Sequence, residues 1–222
     1  MACPPWLAAL IVFTSGAAIM IIEIAGQKVL APAFGSAFYV WTAQIGVVMC
    51  ALALGYSLGG WAIDRWPTLR TAALLLLCGG CTTLALPLYA RPLAEAIVNR
   101  HFVEVTEANY DPMSRDAPEI ALIWQKLDPM LGSFGAFFLP CLLLAAVSPC
   151  LVRLMASGDA TAGTRAGTIL MWGTIGSLAG VFVTAYWLLD AFPLTRILYG
   201  TGAAAIFFAL ILLMQRPRTV DA

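Results

Sequence analysis

The chain has 222 residues, 61% of them hydrophobic and 11% charged, against roughly 25% charged in ordinary soluble domains. A water-soluble chain of this size cannot hide so much apolar surface, so hydrocarbon is the expected solvent for most of it. The formal net charge is zero, which gives no reason to expect a nucleic-acid partner, and the single histidine, His101, leaves most haem and zinc constellations without ligands.

Charged residues punctuate the sequence and leave uncharged intervals at 1–22, 29–63, 71–90, 129–152, 166–189 and 197–215. A helix needs about 20 apolar residues to cross the hydrocarbon core. Five intervals fit one crossing each. The interval 29–63 is too long, and Ala31-Pro32-Ala33-Phe34-Gly35-Ser36 carries turn signals at its start. The expected fold is therefore all-α, a single polytopic membrane domain over 1–222 with six transmembrane helices. They are placed near 6–28, 38–63, 70–91, 129–154, 165–189 and 195–214. Met1 to Met20 lacks the basic start of a signal peptide and reads as a retained first helix.

In the first helix, Glu23 follows a long apolar run. An acid at membrane depth is costly unless it is paired or faces a polar cavity. Gln27 lies one turn on along the same face, and Lys28 is within reach. Two readings stand side by side. Glu23 lines a cavity and binds a cation, proton or amine, or it pairs with Lys28, Arg91 or Arg196 and locks the bundle. Gln44 and Thr42 on the second helix add polarity at the same end. Further along that helix, Ala51, Gly55 and Gly59 form a small-residue face, matched on the fifth helix by Gly176 and Gly180. Such faces let membrane helices approach closely. Their place on the second helix of each half fits a 3+3 repeat, although Gly and Ala are common in membrane helices generally. Cys78-Gly79-Gly80-Cys81 has C-x-x-C spacing but sits mid-span, without the electropositive setting a reactive thiolate needs.

Residues 94–127 are the one long connection, with Glu95, Glu104, Glu107, Asp111, Asp116 and Glu119. Within it Ile120, Ile123, Trp124 and Leu127 fall at i, i+3, i+4 and i+7, predicting a short amphipathic helix opened by Pro118. The loop is expected to form two such helices outside the membrane. Arg65, Arg70, Arg153, Arg165, Arg216 and Arg218 cluster on one side of a six-helix topology. That bias puts both termini in the cytoplasm and 94–127 in the periplasm.

Taken in order, Ser15-Gly16-Ala17, Glu23, Lys28, Leu30-Ala31-Pro32, Phe34-Gly35, Trp41, Gly46, Leu54-Gly55, Gly59-Gly60 and Asp64-Arg65 resemble the membrane portion of bacterial spermidine-synthase-like membrane proteins. Pro140, Pro149, Leu151-Val152-Arg153, Gly167, Thr174-Ile175-Gly176-Ser177 and Gly180 continue the resemblance. The run ending in Asp64-Arg65 also resembles the cytoplasmic loop signature of the major facilitator superfamily. The resemblance implies a half-transporter-like bundle in the bacterial inner membrane. It departs at Gly173, where the family usually has Asn. It also lacks the family's C-terminal aminopropyltransferase domain, and Ser157-Gly158-Asp159, with no preceding strand, is no substitute.

The expectation is thus a chain with no catalytic residues, metal or cofactor of its own. Aminopropyltransferase activity would have to come from a partner chain. Its first expected role is a non-catalytic membrane subunit or scaffold that docks a separate enzyme or membrane complex. The other is a half-transporter that forms a homo-oligomer and moves a cation or polyamine past Glu23. In either case the lipid bilayer is a partner.

Overall fold

The computed structural model describes residues 4–107, 117–156 and 162–215. Asp111, Pro112, Asp116, Ser157-Gly158-Asp159, Arg216 and Arg218 lie outside them, as do the side chains of His101, Glu104, Glu107 and Glu119. The elements are α1 (Pro5–Phe34), α2 (Phe38–Arg65), α3 (Leu69–Glu107), α4 (Ala117–Ala145), α5 (Val147–Ala156), α6 (Ala162–Val183), a π-helical turn (Thr184–Leu188), α7 (Leu189–Ala191) and α8 (Leu194–Met214). No strand occurs among the described residues. Six helical segments are long and apolar enough to cross a membrane, the fourth being Lys126–Met155 and the fifth Ala162–Ala191.

Several boundaries differ from the sequence expectation, each for a local reason. The first helix does not stop at Lys28 but runs through Pro32 to Phe34. Pro32 removes one backbone hydrogen bond, to the Lys28 carbonyl, but the helix continues to Gly35, whose φ of 79° is cheap only without a side chain and ends it. The third helix does not end at Arg91. It continues past Pro87 and Pro92 to Glu107. Pro118–Leu127 is helical but does not form a separate loop helix, because it is the opening of α4. Ile123 and Leu127 on its apolar stripe are exposed.

Two spans carry internal irregularities. The fourth is interrupted at Ala146, between α4 and α5, and Pro149 supplies the reason: it has no N–H for the Ala145 carbonyl four residues back. The fifth loosens into the π turn, which fits one extra residue into the helix.

The core is built on the first and fourth spans. Half of the most apolar window of the first (50%) and 56% of the fourth are buried inside the bundle, against 17% for the fifth, which is therefore the outermost. The main pairings are α1 on α6, α2 on α4 and α3 on α8. Glycine allows each of them. A Cβ on Gly176 would strike the Phe13 carbonyl, and one on Gly180 would lie 2.6 Å from the Ala17 carbonyl oxygen. On the other pair, a Cβ at Gly55 would lie 2.5 Å from the Leu142 carbonyl oxygen, and one at Gly59 would strike that of Ala146. Gly80 and Gly202 face each other's backbone in the third pair. Apolar side chains gain little by leaving lipid for one another, so this backbone-level approach supplies the contact.

Exposed aromatics gather at the two ends of the bundle. Trp6, Trp61 and Trp66 lie near one end, and Phe38, Trp41, Tyr186 and Trp187 near the other. Rings of this kind favour the headgroup level on each side of a bilayer.

Candidate functional site

Glu23 lies in the middle of the packed first helix, yet its side chain is only half-buried. Among the described residues no ion pair joins it to Lys28, Arg91 or Arg196, all three of which are exposed. The pairing expected as one reading of this acid is absent there. What approaches Glu23 is Gln44. Its Nε2 donates to the Glu23 backbone carbonyl at 2.8 Å, across a gap that Gly26 keeps open, since a Cβ there would strike the same amide. Gln44 is fully buried, and its Oε1 has no donor among the described residues. Gln27 is buried as well, 9% exposed, while Lys28 points out of the bundle. The four polar residues therefore do not form one cluster. Gln44 reaches the backbone of Glu23, Gln27 lies buried one turn further along α1, and Lys28 is exposed.

A cavity of about 530 Å³ lies between α1, α2, α5 and α6. Val12, Gly16, Ile19 and Met20 form its α1 wall, Leu52 and Tyr56 its α2 wall. Ser148 and Val152 face it from α5, and Leu170, Thr174 and Ser177 from α6. Most of this lining is apolar, with four hydroxyls set into it. Arg153 stands at its rim, where its Nε meets Asp64 Oδ1 at 3.4 Å across the ends of α5 and α2. Both side chains are well exposed, at 62% and 69%, so the bridge adds little to stability.

The cavity and Glu23 are connected by helical geometry. Val12, Gly16, Ile19 and Glu23 fall at i, i+4, i+7 and i+11 of α1, which is one continuous stripe. Side chains in a helix lean toward its N-terminus and cover the preceding turn. Glu23 thus lies one turn beyond Ile19 on that face and is not itself a lining residue of the cavity.

Two further polar features escape a reading of sequence periodicity. Pro140 leaves the Ala136 carbonyl without its helical donor, and the Tyr89 hydroxyl, from α3, donates to that oxygen at 2.9 Å. The proline announces a free carbonyl, but nothing in the order of residues says which neighbour will reach it. Thr184 opens the π turn fully buried, with its Oγ1 unpartnered among the described residues. Cys78 and Cys81 are exposed free thiols. No group of three or more His, Cys, Asp or Glu that could hold a metal occurs among the described residues. Asp64 and Arg65 end α2, and Asp64 meets Arg153 of another span.

Comparison with family models, with curated proteins and with solved structures finds no match.

Proposed function

We propose that this chain is a membrane-embedded, half-transporter-like unit that admits a cation to the cavity, with Glu23 as its countercharge. The observation that carries the reading is the continuous stripe Val12–Gly16–Ile19–Glu23, which sets a carboxylate one turn beyond the α1 wall of an apolar cavity. Glu23 has no ion pair among the described residues, and an acid at membrane depth points first to a functional site.

The glycine contacts support a 3+3 inverted repeat within this unit. Exchanging the first three spans for the last three turns the Gly55–Leu142 and Gly59–Ala146 approaches into Gly176–Phe13 and Gly180–Ala17, while α3 with α8 maps onto itself. In the orientation favoured by the arginines, the cavity opens to the cytoplasm through the Arg153–Asp64 rim, with both termini on that side and 94–127 in the periplasm. A bacterial inner membrane is the proposed site. Two copies would complete a pathway, as paired halves do in larger transporters.

The test is cation uptake into proteoliposomes by wild type and Glu23→Gln. Uptake should fall at least tenfold in the variant, while its yield and elution volume stay unchanged. Equal uptake by both would remove Glu23 from the pathway.

A second reading keeps the chain as a scaffold for a separate enzyme, such as an aminopropyltransferase-like partner. It is favoured by the fifth span, whose outward face presents Trp172, Phe182, Tyr186 and Trp187. Under that reading a soluble enzyme co-purifies at fixed stoichiometry, and uptake is nil in wild type and variant alike.

A further inference from the structure

The cavity has apolar walls and an ion pair at its rim, and the two features together describe one kind of ligand. We infer that it seats a zwitterionic phospholipid, with one acyl chain between its walls and the headgroup on the Arg153–Asp64 pair. This goes beyond the cation reading and does not rest on Glu23, which lies one turn past the lining.

The walls call for hydrocarbon. Val12, Ile19, Met20, Leu52, Val152 and Leu170 all face the space, and the Thr174 hydroxyl is turned back to the Leu170 carbonyl of its own helix at 3.0 Å. Apolar cavities stay dry and take up apolar ligands. A volume of about 530 Å³ falls in the range of sites for small organic molecules. From Val12 to Met20 the α1 wall is about 12 Å long at the helical rise, enough to lie along part of a chain. Leu170 lines the cavity and is also 57% exposed, on the least buried of the six spans. Lipid therefore borders the cavity along α6.

The rim decides the headgroup. Asp64 and Arg153 stand in the last turns of α2 and α5, and Trp61 and Trp66 meet edge to face at the same end of α2, their ring centroids 5.7 Å apart. Exposed tryptophans favour the headgroup level, so the pair meets lipid at the depth of its phosphate. Arg153 Nε lies 3.4 Å from Asp64 Oδ1, and both side chains are well exposed. The pair carries no net charge. An anionic head that reaches Arg153 also meets the Asp64 carboxylate, and a cationic head on Asp64 also meets Arg153. A zwitterion answers both at once. Its phosphate accepts from the guanidinium, whose five N–H donors form a fork, and its ammonium donates to the carboxylate.

The experiment is native mass spectrometry of the delipidated full chain in detergent. It is titrated separately with phosphatidylethanolamine, phosphatidylglycerol and free phosphoethanolamine. One phosphatidylethanolamine per chain is expected, bound at least tenfold tighter than either of the others. Thr174→Trp, which fills the cavity without altering charge, should weaken it at least tenfold. Arg153→Gln should weaken it at least fivefold, and Asp64→Asn should shift the preference toward phosphatidylglycerol at least fivefold. Equal binding of the two lipids by wild type, or a preference that survives both charge substitutions, would overturn the inference. Phosphoethanolamine bound as tightly as the lipid would remove the chain from the site and overturn it too. The wild-type ranking decides even if a variant fails to accumulate. Lipid and cation compete for one space but are read by separate assays. A negative result here leaves the countercharge reading of Glu23 standing, and equal uptake by Glu23→Gln leaves this inference standing.

Discussion

At the scale of single residues, this bundle is governed by where backbone and side-chain polar groups find partners. Inside hydrocarbon an unpartnered carbonyl has no water to turn to. Pro140 creates such a carbonyl at Ala136, and Tyr89 closes it. Removing the hydroxyl with Tyr89→Phe should cost about 1–3 kcal/mol, the penalty for a buried acceptor left without a donor. The loss should shrink in a Pro140→Ala background, where residue 140 regains the N–H that reaches Ala136. A double-mutant cycle on unfolding in mixed micelles measures the coupling, and additive effects would remove the link between the proline and the tyrosine. Glu23 and Gln44 obey the same logic with the opposite outcome. Among the described residues Glu23 makes no ion pair and Gln44 Oε1 has no donor, and unused polar capacity at depth is where a ligand is to be sought.

Among elements, the controlling quantity is how near two helix backbones come. Gly59 and Gly176 sit where a Cβ would meet the carbonyl oxygens of Ala146, between α4 and α5, and of Phe13 in α1, and backbone cannot move aside as a flexible side chain can. Gly59→Ala and Gly176→Ala should each destabilise by about 1–3 kcal/mol through overpacking. Gly46 and Gly200 have open space at the same place, so Gly46→Ala and Gly200→Ala should hold or raise stability, helped by the better helix propensity of alanine. Thermal unfolding of the detergent-solubilised variants compares the two pairs, and a similar drop in all four would discard the close-approach account. The interrupted fourth span and the π turn of the fifth belong to this scale as well. Both modify helices that wall the cavity, and Pro149 shows one cause directly, a missing donor inside the helix.

For the whole molecule, six segments long and apolar enough to cross a membrane predict connections on alternate sides of it. Single cysteines placed on a background lacking the native ones test this arrangement. Thr68→Cys, between α2 and α3, and Ala162→Cys, at the start of α6, should react with an impermeant maleimide from one side. Ser36→Cys and Pro193→Cys, in the turns at the opposite end, should react from the other. Labelling of Thr68→Cys and Ser36→Cys from the same side would break the six-span topology. The same architecture explains the uneven burial of the spans. The first and fourth occupy the centre, while the fifth leaves most of its apolar surface outward, where lipid or a partner is an adequate solvent for it.

Length and charge spacing alone determined that the chain is helical, how many apolar segments could cross, and roughly where they lie, because the thickness of hydrocarbon imposes one requirement on every segment separately. The glycine spacings of α2 and α6 were also legible, since a four-residue repeat defines a helix face without reference to any neighbour. Only the tertiary structure decided which helices those faces meet, that α1 and α3 run on through their prolines, and that the presumed loop helix of Pro118–Leu127 is the opening of α4. Sequence placed Glu23, Gln27, Lys28 and Gln44 near one end but could not say that Gln44 would take the Glu23 backbone while Lys28 turned away. Nor could it reveal the cavity, whose walls come from residues far apart in the chain. Periodicity fixes which way a side chain leaves its own helix, whereas a partner is fixed by packing among all of them at once.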